Sequence, residues 1–289
     1  MRRAAAFLLS GTLALGAAGC RDASEPDFVN DEDPLTSSNG LSSNGLSSNG
    51  LSSNGLSSNG LSSNGLSTGS ISSNATVMTA LRDQTPTGDL SRLFFRYLVS
   101  CALPTGHSVS YTWTDSTGMV HSEVNPGGLG LAPGWENGAP SEADKEIVSA
   151  CLGARTNSKA VSVPISMRAK GVAALAVTSG ERSAYTYGEG AFWGNLFGSS
   201  PYLYSCSRSP LNAGASSTSQ YLASGRTCTT SACGIITPVG PCLTSDTATS
   251  GQACYEHDGT LDWVSKCTPT KTKGAAGSSD HVISTWLMP

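Results

Sequence analysis

"TGDLSRLFFRYLVSCALPTGHSVSYTWTD", residues 87–115, carries two hydrophobic periods in succession. Leu90, Leu93, Phe94, Tyr97, Leu98 and Cys101 recur at three- and four-residue intervals, which puts them on one face of a helix. Asp89 offers a capping oxygen and Pro104 a stop. From His107 the period changes to two: Val109, Tyr111 and Trp113 point one way, and serines and threonines point the other, as in a half-buried strand. The following "STGMVHSEV" (116–124) reads as the returning strand of a hairpin. A helix running straight into antiparallel strands predicts helices laid on a sheet.

Working downstream, "SEADKEIVSACLGARTN" (141–157) opens with a capping-box pattern, Ser141 to Asp144, and places Ile147, Val148, Cys151 and Leu152 on one face. "VSVPISM" (161–167) alternates, with Val161, Val163, Ile165 and Met167 on one side, and its Pro164 suits a sheet edge or a bulge. "VAALAV" (172–177) and "HVISTWL" (281–287) are further strand candidates. The fold class expected is α+β: an antiparallel or mixed sheet with two helices over residues 77–200, followed by a disulfide-rich, loop-rich region over 201–289 packed on that core.

The second expectation comes from the cysteines. The chain of 289 residues has nine: Cys20, Cys101, Cys151, Cys206, Cys228, Cys233, Cys242, Cys254 and Cys267. The six from Cys206 onward lie among Gly, Ser, Thr and Pro with short apolar runs, so that region needs covalent staples to hold it. Cys101 and Cys151 each fall on the apolar face of an expected helix and could bridge the two, leaving the six to pair among themselves in an order the sequence does not choose.

Upstream, the unit LSSNG runs five times without a mismatch from Leu41 to Gly65. Asn-Gly is a strong turn signal, but the three residues between turns are too few for strands. A pentapeptide β-helix needs a small residue and then Asn or Asp directly before its apolar residue, and here Asn and then Gly precede each Leu. Five units would also make too few coils to stack a core. With one leucine in five, residues 20–76 read as a flexible tether spanning roughly 40 Å root-mean-square.

What the tether is fixed to is suggested by "MRRAAAFLLSGTLALGAAGC" (1–20): two arginines, an apolar run, then small residues before a cysteine. Ala17-Ala18-Gly19-Cys20 resembles the lipobox of bacterial lipoproteins. That resemblance implies a signal peptide over 1–19, cleavage before Cys20, and lipidation of Cys20 with diacylglycerol and palmitate. It implies export and membrane anchoring at the cell envelope, on the outer membrane or cell surface, with a periplasm-facing body as the alternative. Lipidation of Cys20 also leaves an even number of cysteines for disulfides, as suits an oxidising compartment. The formal charge is −4 and no basic stripe stands out, so nucleic acid is not an expected partner.

Catalytic motifs are sparse. No His-Glu-x-x-His and no Gly-x-Ser-x-Gly occurs. His121-Ser122-Glu123 with Pro241-Cys242 lacks the second cysteine of a zinc deaminase, since Ser245 stands in its place. Cys228 and Cys233 with His257 have loose zinc-ligand spacing, but disulfides are the better reading in an exported chain. "YEHDGTLDW" gathers Glu256, His257, Asp258 and Asp262 in a spacing that fits no Ca²⁺ loop. "GEGAFWG" (188–194) departs from the dinucleotide fingerprint, with Phe192 and Trp193 where backbone should approach a phosphate.

No metal or cofactor is therefore expected. The remaining feature is a run of seven aromatic residues from Tyr185 to Tyr204, interleaved with glycines. Packing is the plainer reading. If the run forms a recognition surface instead, Tyr185, Tyr187, Trp193 and Tyr202 are the candidate contacts for a cell-surface glycan or envelope protein. The sequence thus points to a tethered binding or structural module of the envelope. The alternative is an envelope hydrolase whose site is assembled from distant residues.

Overall fold

The computed structural model describes residues 36–38, 41–42, 60–157, 163–208, 227–228, 235–243, 251–270, 272 and 274–289. Cys20 and Cys233 lie outside them, as does the whole of the expected signal segment.

The architecture is α+β. Five helices and twelve strands are described: β1 (Thr36–Ser38), β2 (Leu41–Ser42), α1 (Thr68–Ser73), α2 (Ala75–Leu81), α3 (Pro86–Ala102), β3 (Ser108–Thr114), β4 (Val120–Pro126), α4 (Glu142–Ala154), β5 (Thr156–Asn157), β6 (Pro164–Arg168), α5 (Ser179–Ala184), β7 (Tyr187–Asn195), β8 (Tyr202–Ser207), β9 (Ile236–Pro241), β10 (Cys254–His257), β11 (Val264–Cys267) and β12 (Ile283–Leu287). The two long helices are the two that periodicity predicts. α3 begins earlier than Asp89: Thr85 is its N-cap, its Oγ1 accepting from Thr87 N–H at 3.3 Å, and Pro86 fills the first helical position, where no N–H is needed. α4 carries the capping box from Ser141 to Asp144 in full.

A six-stranded sheet in the order β1-β6-β12-β7-β8-β9 organises the body. All its pairings are antiparallel except β8 with β9. The C-terminal strand β12 lies between β6 and β7, so the division at residue 200 does not hold: strands from both sides of it share one sheet. Pro164 sits at the first residue of β6, paired with Ser38 of β1, where its missing N–H is tolerated. "VAALAV" is not a strand. It forms a 3₁₀ turn over Ala173–Leu175 with loop on either side.

The sheet is covered on both faces. Phe192, Ile165, Met167 and Ile283 join the main core with Phe94, Leu98, Ile147 and Leu152 from α3 and α4. On the opposite face Ala191 and Trp193 pack with Cys206, Cys242, Cys254, Val264 and Cys267 in a second apolar layer. β7 is buried along its whole length for this reason. Gly190 belongs there because of close approach: a Cβ at this position would sit 2.3 Å from the Cys206 carbonyl oxygen.

Disulfides hold both layers. Cys101–Cys151 joins α3 to α4, Cys206–Cys242 ties β8 to the residue after β9, and Cys254–Cys267 links β10 to β11. Cys228 is disulfide-bonded as well.

The repeat is not a free tether throughout. β1 and β2 pair with β6 and β5. Leu61, Leu66 and Ile71 are buried in the main core, and Leu66 N–H donates to the Trp135 carbonyl at 2.7 Å. The last LSSNG unit is therefore part of the globular body, and the boundary expected at residue 76 moves upstream of Leu61. One leucine in five cannot stack a core on its own, but here the leucines enter a core supplied by other elements.

A candidate binding cleft

A cleft of about 450 Å³ opens where β6, the 171–177 loop, α5 and the turn between β10 and β11 meet. One wall is apolar, formed by Val172, Leu175 and Val177, and the other carries Arg168, Arg182, Asp258, Asp262 and Trp263. β6 supplies Arg168 from the face opposite Ile165 and Met167. α5, closed by a capping box from Thr178 to Glu181, places Arg182 at its exposed end.

Asp262 is the hub. It accepts from Arg168 Nη1 at 2.6 Å, from Arg182 Nε at 2.9 Å and from Thr260 Oγ1 at 2.8 Å, while its backbone carbonyl accepts from Trp286 Nε1 at 2.9 Å. Arg168 also donates to Ser166 Oγ and to the Tyr185 carbonyl, both at 2.9 Å. Its guanidinium lies over the Trp286 ring at 4.3 Å, and Arg208 lies over the same ring at 4.7 Å. Ser166 donates to Glu181, which completes a buried polar chain.

Burial pushes the Asp262 carboxyl upward, but the bonds from Arg182 and Thr260 and the charges of Arg168 and Arg182 outweigh it, leaving the group below the usual carboxylate range. Burial lowers Arg168 against the opposing pull of Asp262. Burial likewise brings Arg208 down to about 10.

This network uses the charged turn Glu256–Asp262, whose spacing fits no Ca²⁺ loop. Asp262 is matched by two arginines, and Glu256 by Lys170 and by Lys266 at 3.1 Å. Hydrogen bonds from those two lysines hold the Glu256 carboxyl below its ordinary value. Among the described residues, the one group close enough to share a metal, Cys206, Cys242 and Cys254, is oxidised into disulfides, with Cys206 Sγ 3.7 Å from Cys254 Sγ.

The aromatic run does not form the surface. Trp193 is fully buried, with its Nε1 donating to the Gly277 carbonyl at 3.2 Å, and Tyr185 and Tyr187 are buried too. These three leave the list of contact candidates: both faces of β7 are covered, so Tyr187 enters the main core and Trp193 the second layer, while Tyr185 is buried at the C-terminal cap of α5. Tyr202 alone stays half-exposed, against Tyr204 at 5.4 Å between ring centres. Phe192 and Trp193 do point to opposite faces, but both faces are core.

None of the four histidines lines the cleft. His107 lies 2.9 Å from Glu136, His121 lies 2.8 Å from Asp115, and His257 Nδ1 meets the Asp258 carbonyl at 2.8 Å. His281 is half-buried, and its backbone N–H donates to Ser279 Oγ. Among the described residues no histidine ring is hydrogen-bonded to a serine.

Arg168, Arg182 and Trp263 carried no signal in the sequence. Arg168 sits in a strand whose visible pattern is its apolar face, and its partner Asp262 lies 94 residues away.

Residues 40–68 and 50–74 match a family model described as the GLTT repeat, six copies. The match therefore covers the repeat, including its docked last unit, and stops short of α3 and the cleft. No curated protein and no solved structure matches the chain. Among the described residues no helix is long and apolar enough to cross a membrane.

Proposed function

We propose that this protein is an exported lipoprotein, anchored through a lipidated Cys20, whose globular body is a binding module of the cell envelope. The observation that carries the binding part is the state of the cleft's polar groups. Asp262 is bonded by both Arg168 and Arg182, so its carboxylate is not left poised as a base or nucleophile for a substrate. What the cleft offers outward is a half-buried Trp263, an apolar wall and the rims of Arg182 and Asp258. Flat rings beside a few fixed polar groups suit sugar faces and their hydroxyls, which favours an envelope glycan as ligand. The lipid anchor rests on the lipobox-like Ala17–Cys20 and on the even number of cysteines that follow.

The test is a pull-down of the protein with purified cell-wall and surface polymers, wild type against Trp263→Ala. Retention of the wild type and at least a tenfold loss in the variant, with an unchanged melting midpoint, supports the reading. Equal retention of both refutes the cleft as the site. Labelled palmitate incorporated into the wild type but not into Cys20→Ala tests the anchor separately.

A further inference from the structure

The two edges of the hairpin β3–β4 differ: side chains from neighbouring segments bond to β3, and β4 is open. Asp115 N–H donates to the Met119 carbonyl at 3.0 Å, and Gly127 N–H donates to the His107 carbonyl at 2.8 Å. These two bonds bracket the hairpin and set its phase: odd-numbered residues bond across it, and even-numbered residues turn their N–H and C=O groups outward. On β3 three of the outward groups are bonded to side chains of neighbouring segments. Ser110 N–H donates to Thr68 Oγ1 at 3.0 Å, Arg82 Nε donates to the Thr112 carbonyl at 3.3 Å, and Gln84 Nε2 donates to the Thr114 carbonyl at 2.8 Å. On β4 the outward groups belong to Val120, Ser122 and Val124, and among the described residues no strand pairs with them.

Three apolar side chains along this edge face solvent. Met119 is 62% exposed, Val120 67% and Val124 61%. Folded proteins blunt open edges with charge, proline or cover. Here the outward face of β4 carries no charge, and Pro126 ends the strand only after Val124.

The edge reads Val120-His121-Ser122-Glu123-Val124, and reversed against itself it is complementary at every position. With Ser122 opposite Ser122 of a second copy, Val120 meets Val124 twice on the exposed face, and His121 meets Glu123 twice on the face toward α3. Cross-strand apolar pairs favour that register. All three outward-facing residues fall at hydrogen-bonded positions of the new pair, giving about six backbone bonds.

We propose that β4 pairs antiparallel with β4 of a second copy of this chain, about a two-fold axis through Ser122. Self-complementarity selects a second copy over an unrelated strand, since a two-fold interface requires one patch to match itself.

Sedimentation velocity on the full chain tests this with two double variants. Val120→Lys/Val124→Lys sets lysine against lysine across the axis, whereas Val120→Lys/Val124→Glu sets lysine against glutamate. Within one chain the two positions sit too far apart along the strand to pair. Because both are exposed, melting midpoints should match the wild type within about two degrees and confirm folding. The expected result is a dimeric wild type, a monomeric Lys/Lys variant and a dimer restored by Lys/Glu. A monomeric wild type, a dimer that survives Lys/Lys, or a Lys/Glu variant that stays monomeric would each overturn the proposal.

Discussion

The indole N–H of Trp135 donates to the carbonyl of Leu61 at 3.1 Å and shares a longer bond with the Asn64 carbonyl at 3.2 Å. A fully buried ring in the body thus caps the last unit of a repeat that begins 20 residues earlier. Leu61 itself has no exposed surface. Gly65 completes the fit, since a Cβ there would lie 2.7 Å from the Glu136 carbonyl oxygen.

It follows that Leu61→Ala should destabilise the body by about 2–5 kcal/mol, the cost of truncating a buried leucine. Trp135→Phe keeps most of the apolar volume but removes the donor, and should cost about 1–3 kcal/mol because the buried carbonyls lose a partner. Chemical denaturation of each variant measures both. A tether without contacts would show neither loss.

The disulfide between Cys101 and Cys151 closes a loop of 50 residues between the two long helices. In the chain-entropy model such a loop contributes roughly 4 kcal/mol. Cys101→Ala/Cys151→Ala should therefore lower the denaturation midpoint strongly without changing the mass-mapped pairing of Cys206–Cys242 and Cys254–Cys267, which lie in the other layer. Peptide mapping and urea unfolding on the same sample read out both halves.

Both long helices, the hairpin and the Cys101–Cys151 bridge were legible because each rests on a local pattern: a 3.6-residue period, a two-residue period, and two cysteines on apolar faces. The sheet order was not. β12 enters between β6 and β7, and nothing near residue 283 records which strands flank it. The aromatic run misled for a related reason. Alternation tells which rings share a face, but a second apolar layer built from distant cysteines decides whether that face is wet. The repeat was read from composition alone, and composition cannot show that Trp135, 74 residues on, holds the Leu61 carbonyl. The cleft was hidden most completely, because Arg168, Arg182 and Asp262 meet only through tertiary structure.

Trp193 gives a test of that second layer. It is wholly buried, lies 5.8 Å from Tyr204 between ring centres and donates to the Gly277 carbonyl. Trp193→Ala should cost about 3–5 kcal/mol, the range for a buried aromatic. Polymer binding, where the variant is still folded at low temperature, should be unchanged, because Trp193 does not line the cleft. Parallel measurements of unfolding and retention separate a packing residue from a contact residue.

The Arg168–Asp262–Arg182 cluster makes a prediction in pH. The Asp262 side chain is 4% exposed and Arg168 1%, so their bond is shielded from solvent, whereas Arg182 is half in water. The folded carboxyl lies below its ordinary value, so the unfolded chain takes up the proton first as pH falls. The stabilisation is then fully present above the unfolded value, about 4, and is lost as pH drops below it toward the folded one. Asp262→Ala leaves Arg168 buried without its carboxylate and should cost about 3–5 kcal/mol at neutral pH. The variant should also lose less stability than the wild type between pH 5 and pH 3. Melting midpoints across that range test the sign: a variant whose curve runs parallel to the wild type would mean that Asp262 titrates as if unpaired, and the cluster could not be the clamp that shapes the cleft.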